Sequence, residues 1–335
     1  MRDLIAVRGR GSRAAASLTL AMVVGAGALG AGGAQASAAP PPADTAVTAA
    51  TPVVAFPQVQ RFNRGVDVQA VQYLLQAAGH PGVTADGVFG PGTQTAVEDF
   101  QTAHGLEPDG KVGPLTWGEL TSDVASGSNA SAVRAVQVLL NKKRGAGLQV
   151  DGMFGPGTRA AVTAFQSHAR VAPTGVVDAA TWKALAWHYA KPSTTNICDQ
   201  DPDGNTDANW GTGSSIGQFE AAARQFATTG QGKVPFGDIS HEHGGDIAGH
   251  VSHELGVDID VWPIRTDGAQ CSAGRITWES PTYDRAATRR LVQAIRETAP
   301  GDRVALIFFN DPVLISEGLT TRYDNHDNHL HVRYR

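Results

Sequence analysis

The segment Asp86-Gly-Val-Phe-Gly-Pro-Gly-Thr93 returns 65 residues later as Asp151-Gly-Met-Phe-Gly-Pro-Gly-Thr158. The same offset carries Val71, Gln72, Leu74 and Leu75 onto Val136, Gln137, Leu139 and Leu140, and Phe100-Gln101 onto Phe165-Gln166. It also carries Thr116, Trp117 and Leu120 onto Thr181, Trp182 and Leu185. A period of this length is the mark of a duplicated structural unit. Val71, Leu74 and Leu75, spaced i, i+3, i+4, predict an amphipathic helix. Asp86-Gly87 is a turn signal, and Pro91 suits the first turn of a second helix, which presents Ala96, Val97 and Phe100 inward. Trp117 and Leu120 predict a third short helix closing over the core. Each unit is thus expected to be a small three-helix domain, over residues 57–125 and 126–190. The first sums to −5 in charge and the second to +5, so the two copies need not bind alike.

The ends of the chain differ from these repeats. Residues 1–38 place Arg2, Arg8, Arg10 and Arg13 before an uncharged Ala/Gly/Leu/Val stretch, with small residues around Ala34, Ala36 and Ala38. That layout predicts a cleaved secretory signal, and a chain with no stable membrane insertion afterwards; an uncleaved membrane anchor is the alternative reading of so long an uncharged run. Residues 39–56, rich in Ala, Pro and Thr, read as a flexible linker. Cleavage would take the net charge from −5 to −8, against a nucleic-acid partner. In an exported chain the two cysteines, Cys198 and Cys271, read first as one disulfide, with free thiols the alternative.

Residues 191–335 carry the chemistry. Eight of the 11 histidines lie at or beyond His188, five of them in two motifs. The first runs from Gly249 to Asp260 and holds His250, His253, Asp258 and Asp260. The second runs from His326 to Arg333 and holds His326, His329 and His331. Val257–Val261 alternates apolar with acidic, a strand pattern that puts Asp258 and Asp260 on one face. His329 and His331 share a face in the same way. Gly256 supplies a bend that lets His253 fold back beside Asp260. Two histidines and one carboxylate with an open fourth position are the make-up of a catalytic zinc site. Asp284 is expected to cap a helix reaching about Thr298, and Val304–Phe309 to form a buried strand.

Other signals are weaker. Gly213-Ser-Ser-Ile-Gly217 matches G-x-S-x-G, but no strong strand precedes it. Asp199, Asp201, Asp203, Gly204 and Asp207 imitate a calcium loop, with Trp210 where its last ligand belongs. His241-Glu242-His243 could bind a metal only adventitiously in its Gly-rich loop. H-E-x-x-H does not occur.

Two resemblances follow from these motifs. The repeats resemble the peptidoglycan-binding domain of bacterial cell-wall enzymes, which implies peptidoglycan as partner and a cell-wall location. The histidine motifs, with Pro235–Ser240 and Gly244-Gly245, resemble the penicillin-insensitive murein endopeptidases, relatives of the lysostaphin-type and D-Ala-D-Ala metallopeptidases. The resemblance implies one catalytic zinc ion on His253, Asp260 and His331. It implies His329 as general base, His326 and His250 as groups that orient or stabilise charge, and Asp258 as a partner behind the ligands. It further implies an exported zinc endopeptidase cutting D-alanyl cross-links. The alternatives are a zinc D-Ala-D-Ala carboxypeptidase or a non-catalytic wall-binding protein. The expected architecture is multidomain: two all-α three-helix domains, then an α+β zinc peptidase domain with an antiparallel sheet.

Overall fold

A computed structural model of the chain describes residues 56–201, 206–247, 250 and 252–335. The expected signal and nearly all of the linker lie outside the described residues, as do Asp203 and Gly204 of the calcium-like stretch.

Each repeat folds into three helices: α1 Val66–Ala77, α2 Pro91–Ala103 and α3 Pro114–Leu120, then α4 Ala130–Arg144, α5 Pro156–His168 and α6 Ala179–Trp187. Proline opens α2, α3 and α5, where its missing N–H leaves no hydrogen bond unmade. The residues expected to point inward are buried: Val71, Leu74, Leu75, Val97, Phe100 and Trp117, with their counterparts in the second copy. The two copies pool them in one continuous apolar core, with α1 packed against α4.

Four buried glutamines hold the turns to the helices. The Gln72 amide donates to Asp86 Oδ1, Val88 O and Thr93 Oγ1, and its Oε1 accepts from Gly87 N–H at 2.8 Å. Gln137 repeats this set with Asp151, Met153, Thr158 and Gly152. Gln101 and Gln166 do the same at the turns of Gly110 and Gly175. All four turn glycines have positive φ, 68° to 80°, which a side chain would strain.

The C-terminal part has its own core, built on a five-stranded sheet. Its strands are β1 Ile197–Asp199, β2 Val234–Phe236, β3 Asp258–Val261, β4 Val304–Phe308 and β5 Leu330–Tyr334, in the order β1-β2-β3-β5-β4. The class is α+β as expected. Three of the four junctions are antiparallel, and β1 pairs with β2 in parallel at one edge. Helices α7 Gly213–Ala227 and α8 Arg285–Thr298 pack together, and α9 Pro312–Ser316 follows β4. Asp284 caps α8, accepting from Ala287 N–H at 2.8 Å.

One expectation changes. β4 is an edge strand, mostly half-buried, because it has a neighbour on one side only. The G-x-S-x-G stretch, already set apart by its lack of a preceding strand, is the first turn of α7. Ser215 is buried there and donates to Gly256 O at 2.6 Å, while Gly213 and Gly217 let the first repeat approach closely. Cys198 and Cys271 form a disulfide that ties β1 to the segment after β3. Among the described residues, no helix is long and apolar enough to cross a membrane.

Candidate metal centre

β3 and β5 are antiparallel neighbours, with Asp260 opposite His331 and Asp258 opposite Arg333. Opposed residues present their side chains on the same face, so two carboxylates meet an imidazole and a guanidinium. Leu330 and Val332, pointing the other way, are fully buried in the core and anchor the strand. The loop between β2 and β3 brings in His250 and His253. Gly256 makes the bend with φ 65°, and His253 itself sits at φ 75°, a left-handed conformation uncommon for a residue with a side chain. Such strain persists only where the surroundings hold it. Here the hold is a hydrogen bond from His253 Nδ1 to Ile239 O at 2.9 Å and one from its backbone N–H to Asp258.

Three side-chain atoms converge as a result. His253 Nε2 is 3.2 Å from His331 Nδ1 and 3.3 Å from Asp260 Oδ1, and His331 Nδ1 is 3.0 Å from Asp260 Oδ1. A tetrahedral ion with bonds of about 2.0–2.1 Å spaces its ligands about 3.4 Å apart, so this triangle fits zinc and leaves one vertex open. Behind it, His331 Nε2 donates to Asp258 Oδ1 at 2.9 Å. Arg333 grips Asp258 with two hydrogen bonds, at 2.6 and 3.0 Å. Both histidine donors are therefore oriented through their second nitrogen, one by a carboxylate and one by a backbone carbonyl, as metal-ligating histidines usually are.

The electrostatics agree with that fit. Burial disfavours charge on the Asp258 carboxyl, yet hydrogen bonds from His331 and Arg333 hold it well below the usual carboxylate range. Burial likewise opposes charge on His331, but Asp258 and Asp260 push its pKa up to about 9. The pair of carboxylates thus favours one positive charge at this point. Burial drives His329 the other way, down to about 4. His250 is raised, chiefly by its hydrogen bond with Asp238, whose Oδ2 is 3.2 Å from His250 Nε2.

The remaining expected residues gather around the triangle. His329 Nε2 lies 3.8 Å from Asp260 Oδ1, its Nδ1 2.8 Å from Asn328 Oδ1, and its ring meets the Trp262 edge. His326 donates from Nδ1 to Asp324 O, with its ring 4.5 Å from that of His329. His250, His253 and Asp260 can also share an ion. His250, His253, Asp260, His326, His329 and His331 line a cavity of about 430 Å³ with Leu306, Phe308 and Tyr323 as its apolar wall. A larger cavity, about 600 Å³ between Arg64, Lys142, Glu220 and Arg224, has no histidine in its lining. Sequence reasoning assigned no role to Arg333 or Asp238, although both stand inside the motifs it singled out. It also passed over Trp262, which follows β3 without a pattern to mark it.

Comparison with known proteins adds the following. Residues 64–120 and 129–185 each match the family described as peptidoglycan binding domain, and residues 204–312 match the penicillin-insensitive murein endopeptidases. The second match contains His250, His253, Asp258 and Asp260; His326, His329 and His331 lie beyond it. An uncharacterized protein in the bpoA1 3′ region of Kitasatospora aureofaciens is 42% identical over 73 residues, 22% of this chain and 62% of that one. A zinc D-Ala-D-Ala carboxypeptidase of Streptomyces albus G is 42% identical over 64 residues, 18% of this chain and 25% of that one. This chain therefore spans less than two thirds of either relative. Among solved structures, a peptidoglycan-binding protein from Clostridioides difficile in complex with glutamine hydroxamate is 38% identical, with a TM-score of 0.19. It covers 19% of this chain and 40% of its own.

Proposed function

Given a chain that carries two peptidoglycan-binding domains and a penicillin-insensitive murein endopeptidase domain, we propose that it is an exported zinc-dependent endopeptidase hydrolysing D-alanyl cross-links in peptidoglycan. The observation that carries this reading is the convergence of His253 Nε2, Asp260 Oδ1 and His331 Nδ1 within 3.0–3.3 Å of one another, on the wall of an open cavity. Export rests on the signal-like pattern of residues 1–38.

A zinc ion on these three donors would supply an activated water and polarise the scissile carbonyl. The chain's own groups do the rest. Asp258 and Arg333 fix the His331 ring, and Ile239 O fixes that of His253, so the donors are aligned in advance. His329 is neutral, and with Nδ1 hydrogen-bonded to Asn328 its Nε2 lone pair is free to accept a proton beside the triangle. His250 is pushed the opposite way by Asp238, so it is the ring that more readily carries positive charge. It is suited to stabilising a developing oxyanion or protonating the leaving amine. Two imidazoles whose pKa values are driven apart define a base and an acid. The peptidoglycan-binding domains would hold this site near its polymer and raise the local substrate concentration.

Mass spectrometry of muropeptides after digestion of sacculi tests the reading. Cross-linked dimers should disappear and monomers accumulate, and chelator should stop both. Release of single alanines with dimers intact would replace the endopeptidase with a carboxypeptidase. Binding to sacculi without any release, in the presence of zinc, would leave a wall-binding protein.

A further inference from the structure

A second constellation of histidines forms away from the cavity, where the second repeat meets the C-terminal part. His168 ends α5, His188 follows α6, and Glu242 and His243 come from the loop after β2. His168 Nε2 is 3.2 Å and His188 Nε2 3.4 Å from the same oxygen, Glu242 Oε1. The ligand atoms of His168, Glu242 and His243 lie within 4.8 Å of one another. The three rings cluster, with centroids 5.4 Å apart for His168–His188, 5.4 Å for His188–His243 and 5.8 Å for His168–His243.

Packing alone does not account for this cluster. His188 is only 5% exposed, and its Nε2 is a buried atom with no hydrogen-bond partner; the same holds for Nε2 of His168. Buried polar atoms are nearly always satisfied, so two orphaned ring nitrogens aimed at one carboxylate oxygen call for a ligand. The His188 ring is also prepared to be a donor. Its Nδ1 donates to Tyr189 O at 3.1 Å, which leaves the Nε2 lone pair unshared. Arg144 pairs with Glu242, whose Oε1 faces the cluster.

We propose that His168, His188, Glu242 and His243 bind a second divalent cation of the zinc class, which fastens the second repeat to the C-terminal part. Separations of 3.2 and 3.4 Å suit the edges of a tetrahedral site. His168, Glu242 and His243 supply three donors that lie close together, and His188, 3.4 Å from the same carboxylate oxygen, flanks them. His243 is exposed and closes the site from the solvent side. The loop that bears it is held by Gly245 N–H donating to Glu254 O at 3.0 Å, and it leads on to His250 through His250 N–H donating to Ile247 O. An ion here therefore pins the approach to the first centre as well as the repeat.

The test uses the full chain, stripped with chelator and equilibrated with zinc alone, with bound zinc counted per folded chain. The wild type should hold two equivalents. Asp260→Ala should hold one, because the second site is untouched. Adding His243→Ala or, independently, His168→Ala to Asp260→Ala should remove that one while the circular dichroism stays native. Zinc should raise the Tm of Asp260→Ala and leave that of Asp260→Ala/His243→Ala unmoved. The proposal falls if Asp260→Ala binds no zinc, or if the added substitutions leave its zinc in place. A wild type that holds one equivalent, lost with Asp260→Ala, overturns this site and leaves the active-site reading standing. An equivalent removed only by His243→Ala and His168→Ala does the reverse.

Discussion

Asp258 accepts hydrogen bonds from the backbone N–H of His253 in the loop just before it, and from His331 and Arg333, which the pairing of β3 with β5 brings to it. Its carboxylate thus orients the His331 ring and helps hold the backbone of His253, whose ring is oriented by Ile239 O. Arg333→Ala would leave Asp258 with half its support, and zinc affinity should fall about 10- to 100-fold, read by competition with a chromophoric chelator. An unchanged affinity would mean that the ligands are aligned without it. Asp260→Ala should remove the active-site ion and the activity together. His329→Ala should keep that ion and lose roughly 10²–10⁴ in kcat, the size of a general-base contribution. Near-normal turnover in His329→Ala would take the proton-accepting role from that residue.

At the scale of elements, the C-terminal part depends on a few buried polar ties between helices and sheet. Asp311, which caps α9, is buried and accepts from Tyr283 Oη and Arg285 Nε, both at 2.7 Å. Burial opposes its charge, but these hydrogen bonds and the Val313 N–H hold its pKa below the ordinary value. A carboxyl lowered by folding adds stability that is complete above its unfolded pKa of about 3.9 and lost as pH falls through the folded value. The stability gap between wild type and Asp311→Asn should therefore be widest near neutrality and shrink below about pH 4 in urea unfolding. A gap independent of pH would show that the ionised form contributes nothing. The four glutamine-held turns are the corresponding device in the repeats, and each buries its amide against the turn it closes.

At the scale of the molecule, the repeats and the C-terminal part touch through backbone. A Cβ on Gly217 would lie 2.5 Å from Gly65 Cα, and Gly65 itself has φ 103°. Around this contact Asn63 donates to Ser214 Oγ, Gln218 to Phe62 O and Arg64 to Thr298 O, and Lys142 pairs with Glu220. Gly217→Ala should force the two faces apart at a cost of about 1–3 kcal/mol. A lower Tm and faster proteolysis between residues 187 and 197 are the expected readouts. Unaltered behaviour in both would mean that the faces do not meet in solution. The repeats and the C-terminal part are accordingly expected to move as one body.

The sequence by itself determined the local elements and which candidate side chains share a face. A repeated spacing of apolar residues specifies helices, because the period of a helix is a property of the chain alone, and Asp-Gly turns and Pro-started helices are equally local. Asp258, Asp260, His329 and His331 were legible for the same reason: alternation along a strand states which residues share a face. The edge position of β4, the parallel β1–β2 pair, the grip of Arg333 on Asp258 and the use of G-x-S-x-G as a packing surface were not legible. Each depends on which segments lie side by side, and that follows from how the whole apolar surface is buried. His168, His188, Glu242 and His243 show the limit most clearly. They are 75 residues apart at the extremes, and only Glu242 and His243 share a stretch; the meeting of two apolar cores turns them toward one point.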